Sequence, residues 1–415
     1  MLRSRRLPLI TLACGAALIL IAGLLWDGRI VPGTAVTADI ALDTLDFGDY
    51  GAEPVPEPRN DSEKYSRIIE SARMADAVVS PYDIEDGLRV RISSVLPKPS
   101  DTVGFLAAVA KPILAKHGML AGYTTLGDQG CVVRPCPQIG TSRSVRITVV
   151  RLPDETAARS AAAEIEAADF AVSPDNVAVA ISGYPAALGH WRPSVPTLGI
   201  TLAHGPFVVV LFVTHPTTDL AELTGLAGKA LAAQIPVLDR FAPTPTTAFR
   251  TLPFDPEGML RRIVPGRSGQ WSYPYITRFQ SVDRQAGWGV AVEASGVVYG
   301  PTGSGLHLHL AAVKELVDAG EMERLAVLDR RTLIRFRDAA ATRRFAAGEA
   351  VTTGRQTVMA RPPVPDTTCH RLDDIVPKYY CVVHVDRYVA VLDAMDEKSA
   401  HQIAAAQYAL LVRNR

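Results

Sequence analysis

Two distant stretches of the chain share one order of secondary-structure signals, and this repetition restricts the fold more than any other sequence feature. The first stretch runs from Val145 to Leu238 and the second from Leu333 to Val412. In each, a β-rich segment precedes an amphipathic helix, one extended segment, a hairpin and a final helix. We therefore predict an α+β fold of two repeated β-α-β-β-β-α units, with antiparallel sheets and helices on one face of each sheet.

The hairpins provide the closest correspondence between the two units. Phe207–Val210 in the first hairpin and Tyr388–Val391 in the second agree in position and residue type. The predicted elements are residues 145–152, 155–170, 177–182, 198–202, 207–214 and 219–238 in the first unit, and 333–337, 339–347, 355–361, 379–384, 388–392 and 397–412 in the second. Sequence identity between the units is otherwise low, so the order of elements carries the argument.

A Pro-rich joint separates the two units. Residues 242–253 contain three prolines, so we predict a first domain over 61–241 and a second over 254–415. Residues 30–60 are punctuated by Pro and Gly and show no sustained period, which is typical of an extended linker.

The N-terminus predicts export. Residues 7–26 carry no charge, Arg3, Arg5 and Arg6 precede them, and Asp27 follows. A helix of about 20 apolar residues crosses ~30 Å of hydrocarbon. We therefore predict that residues 1–29 are a single membrane anchor, with the arginines cytoplasmic and the C-terminal part extracytoplasmic. The cytoplasmic membrane is the expected partner of this helix.

Two alternatives for the same segment stay open. A cleavable signal peptide has an apolar region of only about 7–15 residues, and the small-residue sequence Val36-Thr37-Ala38 lies far downstream of the apolar run. Lipidation at Cys14 would make the chain a lipoprotein, but Thr11 stands where a bacterial lipobox has Leu. Either alternative gives a secreted or lipid-anchored protein, so all three interpretations place the remaining chain outside the cytoplasm.

The other cysteines are consistent with an oxidising compartment. Four remain, at positions 131, 136, 369 and 381, and they form two pairs that are local in sequence. Of the three possible connectivities we favour disulfides between Cys131 and Cys136 and between Cys369 and Cys381, because each pair lies within one predicted domain. Neither spacing is that of an ordinary zinc site, so we expect no metal.

Composition excludes several classes of protein. Hydrophobic residues make up 48% and charged residues 21%, which excludes wholesale disorder. Forty-three basic side chains balance forty-three acidic ones, so no global field recruits nucleic acid. We expect no nucleic-acid partner.

The glycine-rich segment from Gly300 to Gly305 does not predict a cofactor site. It lacks the Lys and Ser/Thr that follow the last Gly of a phosphate-binding loop, so we predict a turn between strands and no bound cofactor. His307 and His309 would then alternate along one strand and share a face. A third metal ligand is not indicated nearby.

His190, Trp191 and Arg192 form the most informative polar-aromatic cluster. They combine a proton-active ring, a stacking surface and a cation, so they could line a ligand pocket. The simpler interpretation is a turn whose Trp packs into the core. No H-E-x-x-H or G-x-S-x-G motif is present to indicate a hydrolase.

Several short motifs, taken in order, resemble a family of exported actinobacterial envelope proteins. They are residues 45–50, 72–76, 183–185, 203–205, 258–260, 369–370, 380–381 and 405–408. The resemblance covers about residues 40–412. It implies an envelope protein of unknown function, often a lipoprotein, with a two-part α+β ectodomain. The repeat unit also looks loosely like the extracellular sensor domains of mycobacterial serine/threonine kinases, at the level of fold.

Two functions follow as expectations. The first is a non-enzymatic binding or sensing ectodomain that uses a groove between the two units for an envelope lipid, glycan or protein. The second is an envelope hydrolase or transferase, whose nucleophile and base would come from a set such as His190, His204, His307, His309 and Ser304. A structural or assembly partner is a third option.

Overall fold

The computed structural model describes residues 40–130, 140–280, 290–308, 311–347, 356–359, 364–372 and 378–414. Residues Ala41–Arg415 form one compact unit. The predicted anchor, Cys14, Cys131, Cys136 and His309 lie outside the described residues. In the described part of the chain, no helix combines the length and apolarity needed to cross a bilayer.

The strands of the described residues form two large sheets and one two-stranded ribbon, and every strand pair among them is antiparallel. The strands are β1 Arg89–Val95, β2 Ala121–Asp128, β3 Ser144–Arg151, β4 Val177–Ile181, β5 Tyr184–Trp191, β6 Thr197–His204, β7 Phe207–Thr214, β8 Tyr275–Gln280, β9 Val290–Ser295, β10 Val297–Tyr299, β11 Met322–Leu328, β12 Arg331–Phe336, β13 Gln356–Val358, β14 Thr367–Leu372, β15 Lys378–Val385 and β16 Tyr388–Ala394. The first sheet has the order β1-β2-β3-β7-β6-β5-β4, and the second has the order β10-β11-β12-β16-β15-β14-β13.

The helices connect these strands. They are α1 Glu63–Arg73, α2 Ala110–Lys116, α3 Glu155–Phe170, α4 Leu220–Arg240, α5 Thr246–Phe249, α6 Pro301–Leu308, α7 Ala311–Asp318, α8 Ala339–Ala347 and α9 Glu397–Arg413. Three of the longer helices begin at an aspartate whose carboxylate accepts a hydrogen bond from the first helical turn: Asp154, Asp219 and Asp396. Such caps satisfy backbone N–H groups that otherwise lack partners, so these helix starts are determined locally.

The two large sheets share one topology. Counting from the first strand of each, both follow the order 1-2-3-7-6-5-4. The prediction of an α+β fold with antiparallel sheets is confirmed. The predicted β-α-β-β-β-α unit was too small, because it omitted β5, β14 and the strand pair that begins each sheet.

The omitted strands have no clear period of two. Strand β5 contains Pro185 and Gly189 and alternates irregularly between buried and exposed positions. Strand β14 is the polar segment Thr367–Leu372, which lies between β15 and the short edge strand β13. Neighbouring strands stabilise both segments, and their own residues do not predict an extended conformation.

Helices cover both faces of the first sheet, contrary to the prediction of one face. Thr201 of β6 donates to the Glu166 carboxylate of α3, whereas His204, three residues later, pairs with Asp239 of α4 at 2.6 Å. Successive strand residues point to opposite faces, so the two helices lie on opposite sides. Helices can cover both faces because the side chains of β7 are apolar and mostly buried along the whole strand.

Residues 41–60 belong to the compact unit and are not the extended linker that the sequence predicted. The Gln402 side chain of α9 donates to the Asp46 carboxylate at 2.8 Å, and Arg413 donates to the Ala52 carbonyl at 2.6 Å. Glu57 accepts from the backbone N–H of Phe254 at 2.8 Å. Hydrogen bonds to the second half, residues 254–414, therefore hold this segment in place.

The two halves share a core. The main hydrophobic cluster includes residues of both large sheets. The Ser93 hydroxyl of β1 donates to the Leu306 carbonyl at 3.1 Å, and Ser94 accepts from the Val292 N–H at 3.1 Å. Burial across this contact keeps the halves in one arrangement, which defines the cavity described next.

Candidate functional site

A cavity of about 470 Å³ lies where the two halves meet, and we call it the central cavity. It is lined by Ile69, Arg73, Asp76, Val237, Arg240, Phe241, Ala242, Leu252, Pro253, Phe254, Pro256, Glu257, Val298, Gly300, Thr302 and Arg324. The lining residues come from α1, the end of α4, the joint, and the β10–α6 and β11 segments. Most are apolar, and its volume is in the usual range for small-molecule sites.

Three arginines from three different elements reach this cavity. Arg73 belongs to α1, Arg240 to the end of α4, and Arg324 to β11. The Arg324 guanidinium pairs with Glu257 at 2.6 Å, and that of Arg73 lies 5.7 Å from the centre of the Phe241 ring. Arg240 is exposed and forms no ion pair with the residues that the structure describes. It is therefore the cation most accessible to a ligand.

The two acidic side chains of the cavity are engaged by the protein itself. Asp76 accepts a hydrogen bond from the Gly303 N–H at 2.8 Å, at the start of α6. Burial raises the pKa of Asp76, and this hydrogen bond partly offsets the rise. Burial alone would raise the pKa of Glu257. Its ion pairs with Arg324 and Arg335 together outweigh burial, so the pKa is lowered. Asp76 is therefore held by a backbone N–H group, and Glu257 is held by two arginines.

The segment Gly300–Gly305 is helical, and the prediction of a turn between strands was wrong. Its last five residues belong to α6, which runs from Pro301 to Leu308. A Cβ added at Gly300 would lie 1.6 Å from the Asp76 carboxylate, so glycine allows Asp76 to approach this helix end. His307 consequently lies on a helix and stacks on Tyr299, with ring centres 5.0 Å apart.

A buried ion pair anchors the joint that forms one wall of the central cavity. Glu70 of α1 and Arg151 of β3 form a salt bridge in which their side chains are 0% and 3% exposed. Thr244 donates to Glu70 through its backbone N–H at 3.1 Å and through its hydroxyl at 2.7 Å. Arg73 donates to the Ala242 carbonyl at 3.1 Å. The Pro-rich joint is thus fixed by side chains of the first half.

The predicted pocket residues His190, Trp191 and Arg192 line a second cavity, of about 390 Å³, which we call the sheet cavity. Its lining is Gly104, Leu106, Ala107, Arg146, Asp169, Val172, Ser173, Asn176, His190, Trp191, Arg192, Thr197, Gly199 and Phe212. His190 and Trp191 belong to β5 and Arg192 follows it, so the alternative of a turn was wrong. Trp191 packs partly against the core and donates its indole N–H to the Val195 carbonyl at 3.1 Å.

Strand register brings the residues of the sheet cavity together. Arg146, Phe212, Gly199 and His190 are successive partners across β3, β7, β6 and β5. Helix α3 adds two carboxylates: Glu166 lies 2.8 Å from His190 Nδ1, and Asp169 lies 3.8 Å from Nε2. The Arg146 guanidinium lies 4.8 Å from the centre of the Phe212 ring. The cavity is therefore lined by charged groups of both signs.

Burial and one hydrogen bond shift the pKa values of the groups in the sheet cavity. The hydrogen bond to Glu166 raises the pKa of His190, against the effect of desolvation. Burial lowers the pKa of Arg146 to about 9, and burial raises the pKa of Asp169. Sequence reasoning missed Arg146, Glu166 and Asp169. A signal for Glu166 existed, because it lies next to Ile165 on the buried face of α3, where a charged residue needs a partner.

The other residues that the sequence suggested as functional, Ser304, His204 and the cysteines, each contact different parts of the protein. The Ser304 hydroxyl donates to the Gly300 carbonyl at 2.6 Å, and His204 binds Asp239 at the surface. Cys369 and Cys381, directly opposite on β14 and β15, are joined by a disulfide as the sequence predicted. Within the described residues, no group of three or more His, Cys, Asp or Glu side chains has the arrangement of a metal site.

Two family models match consecutive parts of the chain. Residues 57–254 match the N-terminal part, and residues 259–414 the C-terminal part, of a domain of unknown function, DUF7373. No curated protein matches. Among solved structures, the crystal structure of the extracellular domain of PknH from Mycobacterium tuberculosis is 13% identical, with a TM-score of 0.29. The match covers 46% of this chain and 100% of that one.

Proposed function

The chain belongs to the DUF7373 family, whose function is unknown, and we propose from the geometry of the central cavity that it is a binding protein for an anionic amphiphile. The amphiphile has one apolar chain and a carboxylate or phosphate head group. The observation that carries this proposal is the lining itself: apolar walls from both halves, with the guanidinium of Arg240 available at one side.

Each part of the ligand has a matching surface. Ile69, Val237, Leu252, Phe254 and Val298 supply the walls along which a hydrocarbon chain loses contact with water. Arginine binds carboxylate and phosphate through parallel N–H donors, so the head group lies toward Arg240. The acidic side chains already have protein partners, because Asp76 accepts a hydrogen bond from the Gly303 N–H and Glu257 pairs with Arg324.

Photo-crosslinking tests the proposal with the full-length protein in nanodiscs. The probes are a palmitate analogue and a hexadecanol analogue that carry the same diazirine, and labelled peptides are identified by mass spectrometry. We expect the acid to label peptides from the α4 end and the joint, and unlabelled palmitate to compete. Labelling by the alcohol to the same extent would show that the head-group assignment is wrong. Labelling confined to residues 7–26 would contradict the whole proposal.

Variants make the test specific. Arg240→Gln removes the accessible cation and should weaken palmitate competition about fivefold, the effect of one partly exposed charge contact. Val298→Trp fills the cavity and should abolish labelling by both probes. Arg250→Gln is the matched control, because Arg250 is exposed and does not line the cavity. Equal effects of the two Arg→Gln changes would argue against a role for Arg240.

We also propose that the protein acts outside the cytoplasm. The support is the predicted anchor in residues 1–29 together with the disulfide between Cys369 and Cys381, since such bonds persist in oxidising compartments. A C-terminal fusion to alkaline phosphatase, which needs disulfides to fold, should be active in cells. An inactive phosphatase fusion paired with a fluorescent green-fluorescent-protein fusion would place the C-terminus in the cytoplasm and contradict this proposal.

A further inference from the structure

The two large sheets end at equivalent edge strands, β4 in the first half and β13 in the second. Each is the last strand of the shared order 1-2-3-7-6-5-4. Among the strands of the described residues, each pairs with a neighbour on one side only. The outer side of such a strand presents a row of backbone N–H and C=O groups to which another chain can add. Proteins therefore protect edge strands by keeping them short or by placing charges and prolines there.

The edge of the second sheet has these protective features. Strand β13 contains only the three residues Gln356–Val358. In the sequence Arg355 precedes it and Arg361 follows it, and three prolines occur between β13 and β14. Arginine side chains and missing N–H groups oppose pairing with another strand, so this edge is protected in the usual way.

The edge of the first sheet has none of them. Strand β4 has five residues, all of them Val, Ala or Ile. No Asp, Glu, Lys or Arg occurs between Asp175 and Arg192, a range that contains both β4 and β5. Val177 is 48% exposed, and Leu188 of β5 is 40% exposed. An uncharged apolar edge strand is the kind that pairs with a strand of another chain.

We propose that β4 pairs in antiparallel orientation with β4 of a second copy of this chain, about a two-fold axis at Val179. The axis places Val179 opposite its own counterpart and Val177 opposite Ile181. It places Ala178 opposite Ala180. A two-fold axis perpendicular to the sheet keeps each face, so β-branched side chains meet on one face and alanines meet on the other. The two seven-stranded sheets then form one continuous sheet.

The charges beside β4 favour the antiparallel arrangement. Asp175 is exposed, two positions before the strand. With the axis at Val179, Asp175 lies opposite Gly183 of the second copy, and the two Asp175 residues are about 26 Å apart along the strands. Parallel pairing in register would instead place the two carboxylates side by side, where like charges repel. Only the antiparallel dimer therefore avoids a like-charge contact.

The size of the contact indicates a reversible dimer. Pairing through five residues of each copy buries less surface than a standard stable interface. Anchoring of both copies in one membrane, as residues 1–29 predict, raises their effective concentration and favours pairing. The inference is independent of the central cavity, because β4 contributes no residue to the lining of that cavity.

Disulfide crosslinking of the full-length protein in proteoliposomes tests the register. Val179→Cys should give a covalent dimer on oxidation, because directly opposite residues are within reach of a disulfide. Val177→Cys is the matched control, since its two copies lie about 13 Å apart along the strands, beyond that reach. We expect crosslinking through position 179 to be at least about tenfold faster than through position 177. Non-reducing peptide mapping separates this bond from those of the native cysteines.

Two outcomes of the crosslinking would overturn the proposal. Equal rates at positions 177 and 179 would indicate random collision or parallel pairing. A Val179→Cys protein that forms no bond through position 179 would show that the two strands do not meet.

Lysine variants test the same edge without crosslinking. Val177→Lys places a charge on the exposed edge of β4 and should raise the dissociation constant of the dimer at least about tenfold. Val358→Lys is the matched control, because Val358 is 65% exposed on the equivalent strand β13. Sedimentation of the full-length protein in detergent micelles at about 100 µM measures the mass, and weak dimers are detected in that range.

The comparison of the two lysine variants separates pairing through β4 from association through the apolar residues 7–26. An unchanged melting temperature of Val177→Lys would show that its fold is intact. A monomeric wild-type protein, a dimer that Val177→Lys leaves unchanged, or equal dissociation by both variants would each contradict the proposal.

Discussion

His190 and His370 occupy equivalent positions in the two large sheets, because each lies opposite the residue five positions before the end of a hairpin strand, Gly199 in β6 and Tyr380 in β15. Their imidazole pKa values are shifted in opposite directions. The Glu166 carboxylate, 2.8 Å from His190, raises the pKa of that ring. Burial lowers the pKa of His370, which stacks on Tyr380. The same place in the topology thus borders a cavity in one half and is packed against an aromatic ring in the other.

We expect this contrast to appear in the pH dependence of stability. Because the folded-state pKa of His190 is raised above 6.5, its contribution is full below that pH and is lost as pH rises through the folded value. His370 acts with the opposite sign, since its lowered pKa makes protonation costly as pH falls below 6.5. NMR titration should give His190 a midpoint above 6.5 and His370 a midpoint below it.

The His190 contribution is isolated by a variant. Glu166, Asp169 and Arg192 are the charged groups that act on this ring, and the two carboxylates outweigh the arginine. His190→Gln should remove the loss of stability with rising pH, whereas the surface variant His204→Gln should retain it. A His190 midpoint at or below 6.5 would contradict the assignment of Glu166 as its partner.

The ion pair between Glu70 and Arg151 should be costly to break. Arg151→Met leaves a carboxylate with 0% exposure and only Arg73 and Thr244 as partners, so we expect a loss of about 3 kcal/mol in the free energy of unfolding. The exposed pair between Arg67 and Glu63 serves as the control, and Glu63→Gln should cost less than about 1 kcal/mol. Urea unfolding measures both, and equal losses would show that burial of the pair is unimportant.

The disulfide between Cys369 and Cys381 should resist reduction in the folded protein. Their exposed fractions are 1% and 0%, so dithiothreitol followed by iodoacetamide should modify them only after unfolding. Replacing both by Ala should cost about 3 kcal/mol, the value for a loop of this length. Rapid alkylation of Cys369 and Cys381 in the folded protein would contradict their buried position.

Peptide mapping under non-reducing conditions would also test the predicted bond between Cys131 and Cys136.

Two glycine substitutions should change stability in opposite directions. Gly300→Ala places a Cβ 1.6 Å from Asp76 and should cost at least about 2 kcal/mol, because the helix start must move. Gly225→Ala, inside α4 with no atom within 4 Å of the new Cβ, should gain about 0.5–1 kcal/mol. Thermal unfolding of both variants checks the signs. A neutral Gly300→Ala would argue against the close approach of Asp76.

Helix α6 illustrates why sequence reasoning failed at one element. The segment Gly300–Gly305 has turn composition, and its start is stabilised by Asp76, a residue 227 positions before the Gly303 N–H that it binds. Local sequence could not supply this partner. By contrast, Asp154, Asp219 and Asp396 cap α3, α4 and α9 from the adjacent position, and those helices were predicted close to their observed bounds.

The candidate sites also contain residues that the sequence identified and residues that only the fold brings together. Residue chemistry alone identified His190, Trp191 and Arg192 as possible pocket residues. Arg146 and Asp169, which line the same cavity, belong to β3 and α3 and reach it only through strand register and helix packing. The central cavity could be anticipated as a groove between two repeats, but its arginines come from three separate elements.

The sequence by itself determined the elements whose stabilising partners are local: capped helices, the two hairpins, and the repeated order that predicts antiparallel sheets. Only the tertiary structure decided which face each helix covers, how the halves meet, and which residues share a cavity. The physical reason is that side chains alternate along a strand, so contacts across a sheet depend on register and burial between distant segments. Gly199 and Tyr380 show the consequence, since at equivalent positions the glycine borders a cavity and the tyrosine stacks on His370.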